Sequence, residues 1–331
     1  MKLLFLLVLS FTIMAKEQQL AIVIHGGAGT ILKKNLSDEK EAEIRAKLKE
    51  ALNAGYEVLE NGGESTTAVM AAINVMENSP LFNAGIGAVY NQVGKHELDA
   101  SIMRGSDLQA GAVAGVSHVK NPINAAFEVL QNSPHVMLSG SGADEFAKLQ
   151  KLEMVKNNYY DSNYRYQQWQ VINKKKEVSL SEDLLKTDNK FSTVGAVAID
   201  ENGTIAAGTS TGGMTNKAYG RIGDSPIIGA GTYADNRSCG ISATGHGEYF
   251  IRYAVAHDIC ARVLYKKIPL NIAAKEVING ELKKVGGDGG VIGLDSSGNV
   301  MMEFNTKGMY RGYQVEKSKA IVFIFNSTTL D

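Results

Sequence analysis

The segment from residue 193 onward constrains the fold most, because it is written in hairpins. Residues 193–199 are apolar and rich in β-branched side chains. Asp200-Glu201-Asn202-Gly203 then supplies an Asn-Gly turn, and residues 204–210 run back. An Asn-Gly pair between two such runs predicts an antiparallel hairpin. A second hairpin is predicted for residues 289–294 and 300–304 around Ser296-Ser297-Gly298-Asn299, short strands for 227–233 and 239–244, and a closing strand for 319–325. Between the hairpins, residues 248–264 and 270–285 carry helical patterns. In the first half, helices are predicted for 38–60 (with Ser37 as cap), 65–77 and 122–131, and strands for 20–24, 96–103 and 111–117. The 20–24 strand is expected to end in a Gly-rich loop, His25-Gly26-Gly27-Ala28-Gly29. Strands in hairpins and helices in pairs give an α+β chain with antiparallel sheet covered by helices, not alternating βαβ units.

Glycine is unevenly placed. The chain has 35 Gly and 5 Pro in 331 residues, with none between Gly142 and Gly195 and twelve from Gly195 to Gly247. Its glycine-free segment holds Lys174-Lys175-Lys176, four tyrosines and the only Trp; its first part is open to helix, its later part (about 173–190) is polar and loop-like, and about 155–192 reads as a variable linker. At the N-terminus, Lys2 precedes thirteen uncharged residues, 3–15, after which Lys16-Glu17-Gln18-Gln19 breaks the run. This is too short to span a bilayer and has the layout of a signal peptide. The expectation is a signal peptide over 1–15, a mature chain from about Lys16, and a periplasmic or secreted product without stable membrane association.

Several chemistries are disfavoured. A net charge of −1 gives no basic field for nucleic acid. None of His25, His96, His118, His135, His246 and His257 pairs at metal-ligand spacing. His25–Gly29 lacks the Gly-x-Gly-x-x-Gly and Gly-Lys-Ser/Thr patterns of nucleotide loops. Gly140-Ser141-Gly142 lacks the Gly-x-Ser-x-Gly frame of an elbow hydrolase. Cys239 and Cys260 are too few for a disulfide scaffold, and sequence leaves open whether they pair. What remains is the cluster of hydroxyls and glycines between 193 and 247. Within it, Arg221 and Asp224 stand three apart in a Gly-bracketed loop, where backbone can approach a ligand closely. One cation and one anion match the α-carboxylate and α-ammonium of an amino acid.

Thr193-Val194-Gly195-Ala196-Val197-Ala198, Ser-Thr-Gly-Gly-Met-Thr-Asn-Lys at 210–217, Gly-Arg-Ile-Gly-Asp-Ser-Pro at 220–226 and Ala-Thr-Gly-His-Gly-Glu at 243–248 resemble the plant-type L-asparaginase/isoaspartyl peptidase family of threonine Ntn-hydrolases. His25–Gly29, Pro-Leu-Phe-Asn-Ala-Gly-Ile-Gly at 80–87 and His96-Glu97-Leu98-Asp99-Ala100 match as well. The resemblance implies a four-layer αββα sandwich, made as a precursor that cuts itself at Ser192–Thr193 into an α-subunit (16–192) and a β-subunit (193–331). It implies Thr193 as nucleophile and, through its freed α-amine, as base. Thr211 is implied to orient it, and Thr244 and Gly245 to form the oxyanion hole. Arg221, Asp224, Gly247 and Asn83 are implied to hold substrate, together with Thr244 and Gly245. Backbone carbonyls of Met76, Glu77, Ser79, Phe82, Ala84 and Ile86 would hold a structural sodium ion, no cofactor would serve catalysis, and His118 would mark independence of potassium. The implied substrates are L-asparagine and β-aspartyl dipeptides, and the implied assembly is a dimer of αβ heterodimers. Two alternatives remain. A glycosylasparaginase is disfavoured by Gly212-Gly213 where that group has Asn-Gly. A non-catalytic binding protein is disfavoured by the joint presence of Thr193, Thr211 and Thr244. Ser192 departs from the glycine common before the nucleophile.

Overall fold

A computed structural model describes residues 18–178 and 193–326. The predicted signal peptide, residue Ser192 and the 179–192 part of the predicted linker lie outside the described residues. Among those described, eight strands form one sheet in the order β12 (Ile321–Phe325), β11 (Gly308–Val315), β1 (Ala21–Gly29), β5 (Val194–Ile199), β6 (Ile205–Thr211), β2 (Leu98–Arg104), β3 (Ala110–Val116) and β4 (Met137–Ser139). All neighbours run antiparallel except β3 and β4. A second sheet holds β10 (Val300–Phe304), β9 (Gly289–Asp295), β8 (Cys239–Gly245) and β7 (Thr232–Ala234), again antiparallel.

Alternation along the strands sorts side chains into three cores. Ile22, Ile24, Val194, Ala196, Ala198 and Ala206 face α1 (Asp38–Glu60), α2 (Ser65–Glu77) and α3 (Pro122–Asn132). Their neighbours Ala21, Val23, Val197, Ile199, Ile205 and Ala207 pack on Ile292 and Leu294 of the second sheet. That sheet's other face sends Cys239, Ile241, Ala243 and Val291 against α7 (Val255–Ala261) and α8 (Leu270–Lys275). Helix, sheet, sheet and helix are thus four layers with apolar side chains at each of three boundaries, which is why the inner strands are buried on both faces.

Local chemistry sets the elements. Ser37 Oγ accepts from Lys40 N at 3.2 Å, and Asp38, Glu39 and Glu41 complement the positive end of α1. Leu48, Leu52, Tyr56 and Leu59 then line its inner face. The two cysteines form a disulfide with Cα atoms 5.4 Å apart, tying β8 to α7. The sheets approach closely where a side chain is missing: a Cβ at Gly195 would lie 2.0 Å from Ser242 Oγ.

The structure departs from the sequence expectations in several places: the strand expected over 227–233 is confined to β7, and the helix expected over 248–264 is interrupted at Ala254, whose φ is 46°. The His25–Gly29 stretch, expected as a loop, continues β1 and pairs with β11, with a register shift between His25 and Gly27. Its glycines serve packing, since a Cβ at Gly26 would meet the Phe82 ring at 2.6 Å. Strand β11 was not expected. Buried Arg311, stacked over Phe304 and Phe323, hides the apolar alternation there. Strand β4 was also not expected, while α4 (Gly140–Leu149) falls at the start of the glycine-free segment that was left open to helix. Finally, residues 163–178 of the expected linker form a helix, α5 (Asn163–Val178). Trp169 Nε1 donates to Asn91 O, and Arg165 is buried against the body.

Candidate active site

The two hairpin threonines meet because β5 and β6 are paired in register. Val194 lies opposite Ser210, which sets Thr193 beside Thr211. Thr193 Oγ1 donates to Thr211 Oγ1 at 3.1 Å, and Thr211 Oγ1 accepts from Gly213 N at 3.0 Å. Both residues are buried. A backbone N–H donating into Thr211 Oγ1 orients its lone pairs, so the pair is arranged in advance and not by a ligand.

His25, on the neighbouring strand, fixes the nucleophile's own backbone. Nδ1–H donates to Thr193 O at 2.9 Å, and Nε2 accepts from Ser242 Oγ at 3.0 Å. Burial pushes the His25 pKa down to about 3, against the opposing hydrogen bond to Thr193, so the ring is neutral near pH 7. Behind it, Ser242, Thr209, Thr232 and Ser101 are joined hydroxyl to hydroxyl at 2.6–2.8 Å, all fully buried between the sheets.

The second sheet contributes Thr244 and Gly245 at the end of β8. Thr244 Oγ1 is buried without a hydrogen-bond partner among the described residues. A buried hydroxyl left unpaired is costly, and a charged or polar oxygen arriving beside it would relieve that cost. A narrow cleft is lined by Thr193, Thr211, Arg221, Asp224 and Gly245, so five of the expected residues share one wall.

Arg221 and Asp224 sit on the irregular segment between β6 and β7. Gly247 opens α6 (Gly247–Arg252) and touches both, since a Cβ there would lie 2.9 Å from Arg221 Nη2 and 3.0 Å from Asp224 Oδ1. Only glycine leaves room for that approach. Asp224 Oδ2 has no hydrogen-bond partner among the described residues, and burial raises its carboxyl pKa to about 7 despite the nearby Arg221 charge. The group therefore asks for a cation. Arg221 is held by a residue that the sequence reading passed over. Its Nε and Nη2 both donate to Glu248, at 2.9 Å each. Burial acts upward on Glu248, but the Arg221 contacts hold its pKa below the usual value. The signal was present in the sequence, as an acidic residue in the first turn after Gly247.

Asn83 lies just behind this wall. Its Nδ2 donates to Gly213 O at 2.7 Å, its Oδ1 accepts from Val89 N, and its own carbonyl accepts from Gly212 N. The side chain thus shapes the turn that holds Thr211 and does not line the cleft. In the expected sodium loop, α2 ends at Glu77 and the chain turns back through 78–87. The Glu77 and Phe82 carbonyl oxygens lie so close to Gly85 and Gly87 that a Cβ at either glycine would clash with them, so the turn requires both glycines. The carbonyls of Met76 and Ala84 accept from Ser79 N and Gly87 N. Among the described residues no group of His, Cys, Asp or Glu forms a metal cluster. His118 is remote from the cleft and bonds to Val155 O.

Four layers with paired threonines at the central strand ends define an Ntn-hydrolase architecture. A family model described as asparaginase matches residues 18–324, and the chain belongs to that family, whose members work without a cofactor. The isoaspartyl peptidases of Salmonella typhimurium and Escherichia coli K12 are each 46% identical over 294 residues. That covers 88% of this chain and 94% and 92% of theirs. A plant-type L-asparaginase of Pyrococcus furiosus is 42% identical over 314 residues, 90% of this chain and 97% of its own.

Proposed function

We propose that this chain is an autoprocessing threonine hydrolase acting on the side-chain amide of L-asparagine and the isopeptide bond of β-aspartyl dipeptides. One observation carries the reading. A hydrogen-bonded threonine pair, an arginine and an aspartate converge on one cleft together with Gly245, the neighbour of the unpartnered buried Thr244 hydroxyl.

In the precursor, Thr193 Oγ1 attacks the Ser192 carbonyl carbon and the C–N bond breaks. The acyl group moves from nitrogen to oxygen, and water hydrolyses the resulting ester. The released α-amine, with a reference pKa of ~7.7–8.0, then takes the Oγ1 proton near neutral pH. One residue supplies both nucleophile and base, so no catalytic histidine is needed. Arg221 receives the substrate α-carboxylate and Asp224 the α-ammonium. Thr244 Oγ1 and Gly245 N receive the oxygen that becomes negative in the tetrahedral intermediate. The amine departs with the proton held by the α-ammonium of Thr193. Water then cleaves the Thr193 ester to give L-aspartate, and the base is restored.

Residues 16–192 and 193–331 become the two subunits of an αβ unit, with two such units in the working assembly. A sodium ion held by the 76–86 carbonyls would stiffen the loop from which Asn83 grips Gly213. Export follows from the 1–15 signal peptide, and the Cys239–Cys260 bridge suits an oxidising compartment. Ammonia release from asparagine and aspartate release from β-Asp-Leu test the reading. Inactivity on both, with activity on a glycosylated asparagine, would overturn it.

A further inference from the structure

Arg165 is 4% exposed, and its guanidinium has no acidic partner among the described residues. Nε donates to Gly87 O at 2.9 Å and Nη1 to Gln168 Oε1 at 3.0 Å, both neutral acceptors. The cation lies 5.5 Å from the centre of the Tyr164 ring. Burial presses its pKa downward, and the groups that act to raise it are Tyr164 and Tyr310, not a carboxylate. A buried cation without a counter-charge is costly, and an anion placed beside it removes that cost.

Arg165 also lines a cavity. A cleft of about 460 Å³ is lined by Arg165, Tyr164 and Tyr310 together with Leu32, Leu36 and Leu81. It shares no lining residue with the Thr193 cleft. That volume falls within the ~300–1,000 Å³ typical of small-molecule sites, and a mostly apolar wall with a few polar groups is their usual chemistry. Lys40 also lines the cleft but is paired with Glu43 at 2.9 Å, so Arg165 is the cation left to balance one negative charge, which favours a carboxylate over a phosphate dianion.

We propose that this cleft binds a small monocarboxylate with an apolar body, its carboxylate on the unused Arg165 donors and its chain along Leu32, Leu36 and Leu81. The site communicates with the catalytic wall through one loop. Arg165 holds Gly87 O, and four residues earlier Asn83 holds Gly213.

Calorimetry on the full purified protein tests this with octanoate as probe, and with octylamine and inorganic phosphate as controls. Saturable octanoate binding is expected in the wild type and unchanged in Arg221→Lys. It should weaken by at least about tenfold in Arg165→Gln and in Leu36→Glu, the loss expected for a charge-assisted contact. The controls should not bind. Absence of saturable octanoate binding in the wild type would overturn the proposal. So would wild-type affinity in both cleft variants, or a loss confined to Arg221→Lys. Leu36→Glu alters a half-buried wall position, so it decides the question alone if Arg165→Gln fails to fold.

Discussion

The two halves of the catalytic cleft are built differently. Thr193, Thr211 and Thr244 stand at strand ends, where ladder register fixes them to their neighbours. Arg221 and Asp224 stand on irregular chain between β6 and β7, next to glycines and held from outside by Glu248. The groups that react are thus placed by the sheets, and the groups that recognise are placed by a loop whose charges already have, or lack, internal partners. Rigid placement suits bond-making, where small errors in geometry are expensive. A loop suits recognition, because its cation and anion can re-pair when a ligand brings charges of its own.

This contrast is open to breaking by substitution. The strand half should give the larger losses. Thr211→Val removes the hydroxyl partner of Thr193 and should lower kcat by about 10²–10³-fold with little change in KM. A KM effect alone would move Thr211 into the recognition half. Arg221→Lys keeps the charge but loses the planar fork, so KM for asparagine should rise about 10–100-fold while kcat changes far less. An unchanged KM would remove Arg221 from the substrate.

The smallest effect is a pH dependence. Asp224 has its pKa raised to about 7 by burial, so in the empty protein it becomes ionised only as pH rises through that value. Affinity for L-aspartate should therefore weaken below about pH 7, by at most about tenfold per unit. Asp224→Asn should bind more weakly and without that dependence. The sign for stability is opposite. A carboxyl whose folded pKa lies above its unfolded value of ~3.9 stabilises the fold below that value and loses the contribution as pH rises to about 7. The melting temperature of the empty protein should thus gain from this group on acidification over that window, and the gain should shrink in Asp224→Asn.

What sequence made legible follows the same division. The 193–211 hairpin and the 289–304 hairpin were readable because an Asn-Gly turn and a Ser-Gly-Asn turn fix where the chain reverses. The three threonines and the Arg221–Asp224 pair were readable as a cluster with ordered spacing. Strand β11 was not, because Arg311 breaks its apolar pattern and is satisfied only in the packed sheet, by rings from β10 and β12 and by the carbonyls of Met309 and Phe325. The continuation of β1 through His25–Gly29 was hidden too: glycine signals a turn locally, and here it answers a distant Phe82. Asn83 was placed near the nucleophile, but its grip on Gly213 depends on contacts 130 residues apart in the chain. Glu248 and the buried Ser242–Thr209–Thr232–Ser101 chain likewise exist only once the two sheets are packed.

The central claim is that Thr193 acts first on its own chain and then on substrate. Intact-mass measurement of the purified protein, wild type beside Thr193→Ala, tests it most directly. The account predicts two fragments for the wild type, the smaller running from Thr193 to Asp331, and a single uncut chain for Thr193→Ala with at least a ~10⁴-fold loss of turnover. An uncut wild-type chain after long incubation, or a Thr193→Ala protein that still cleaves at this bond and turns over asparagine, would contradict it.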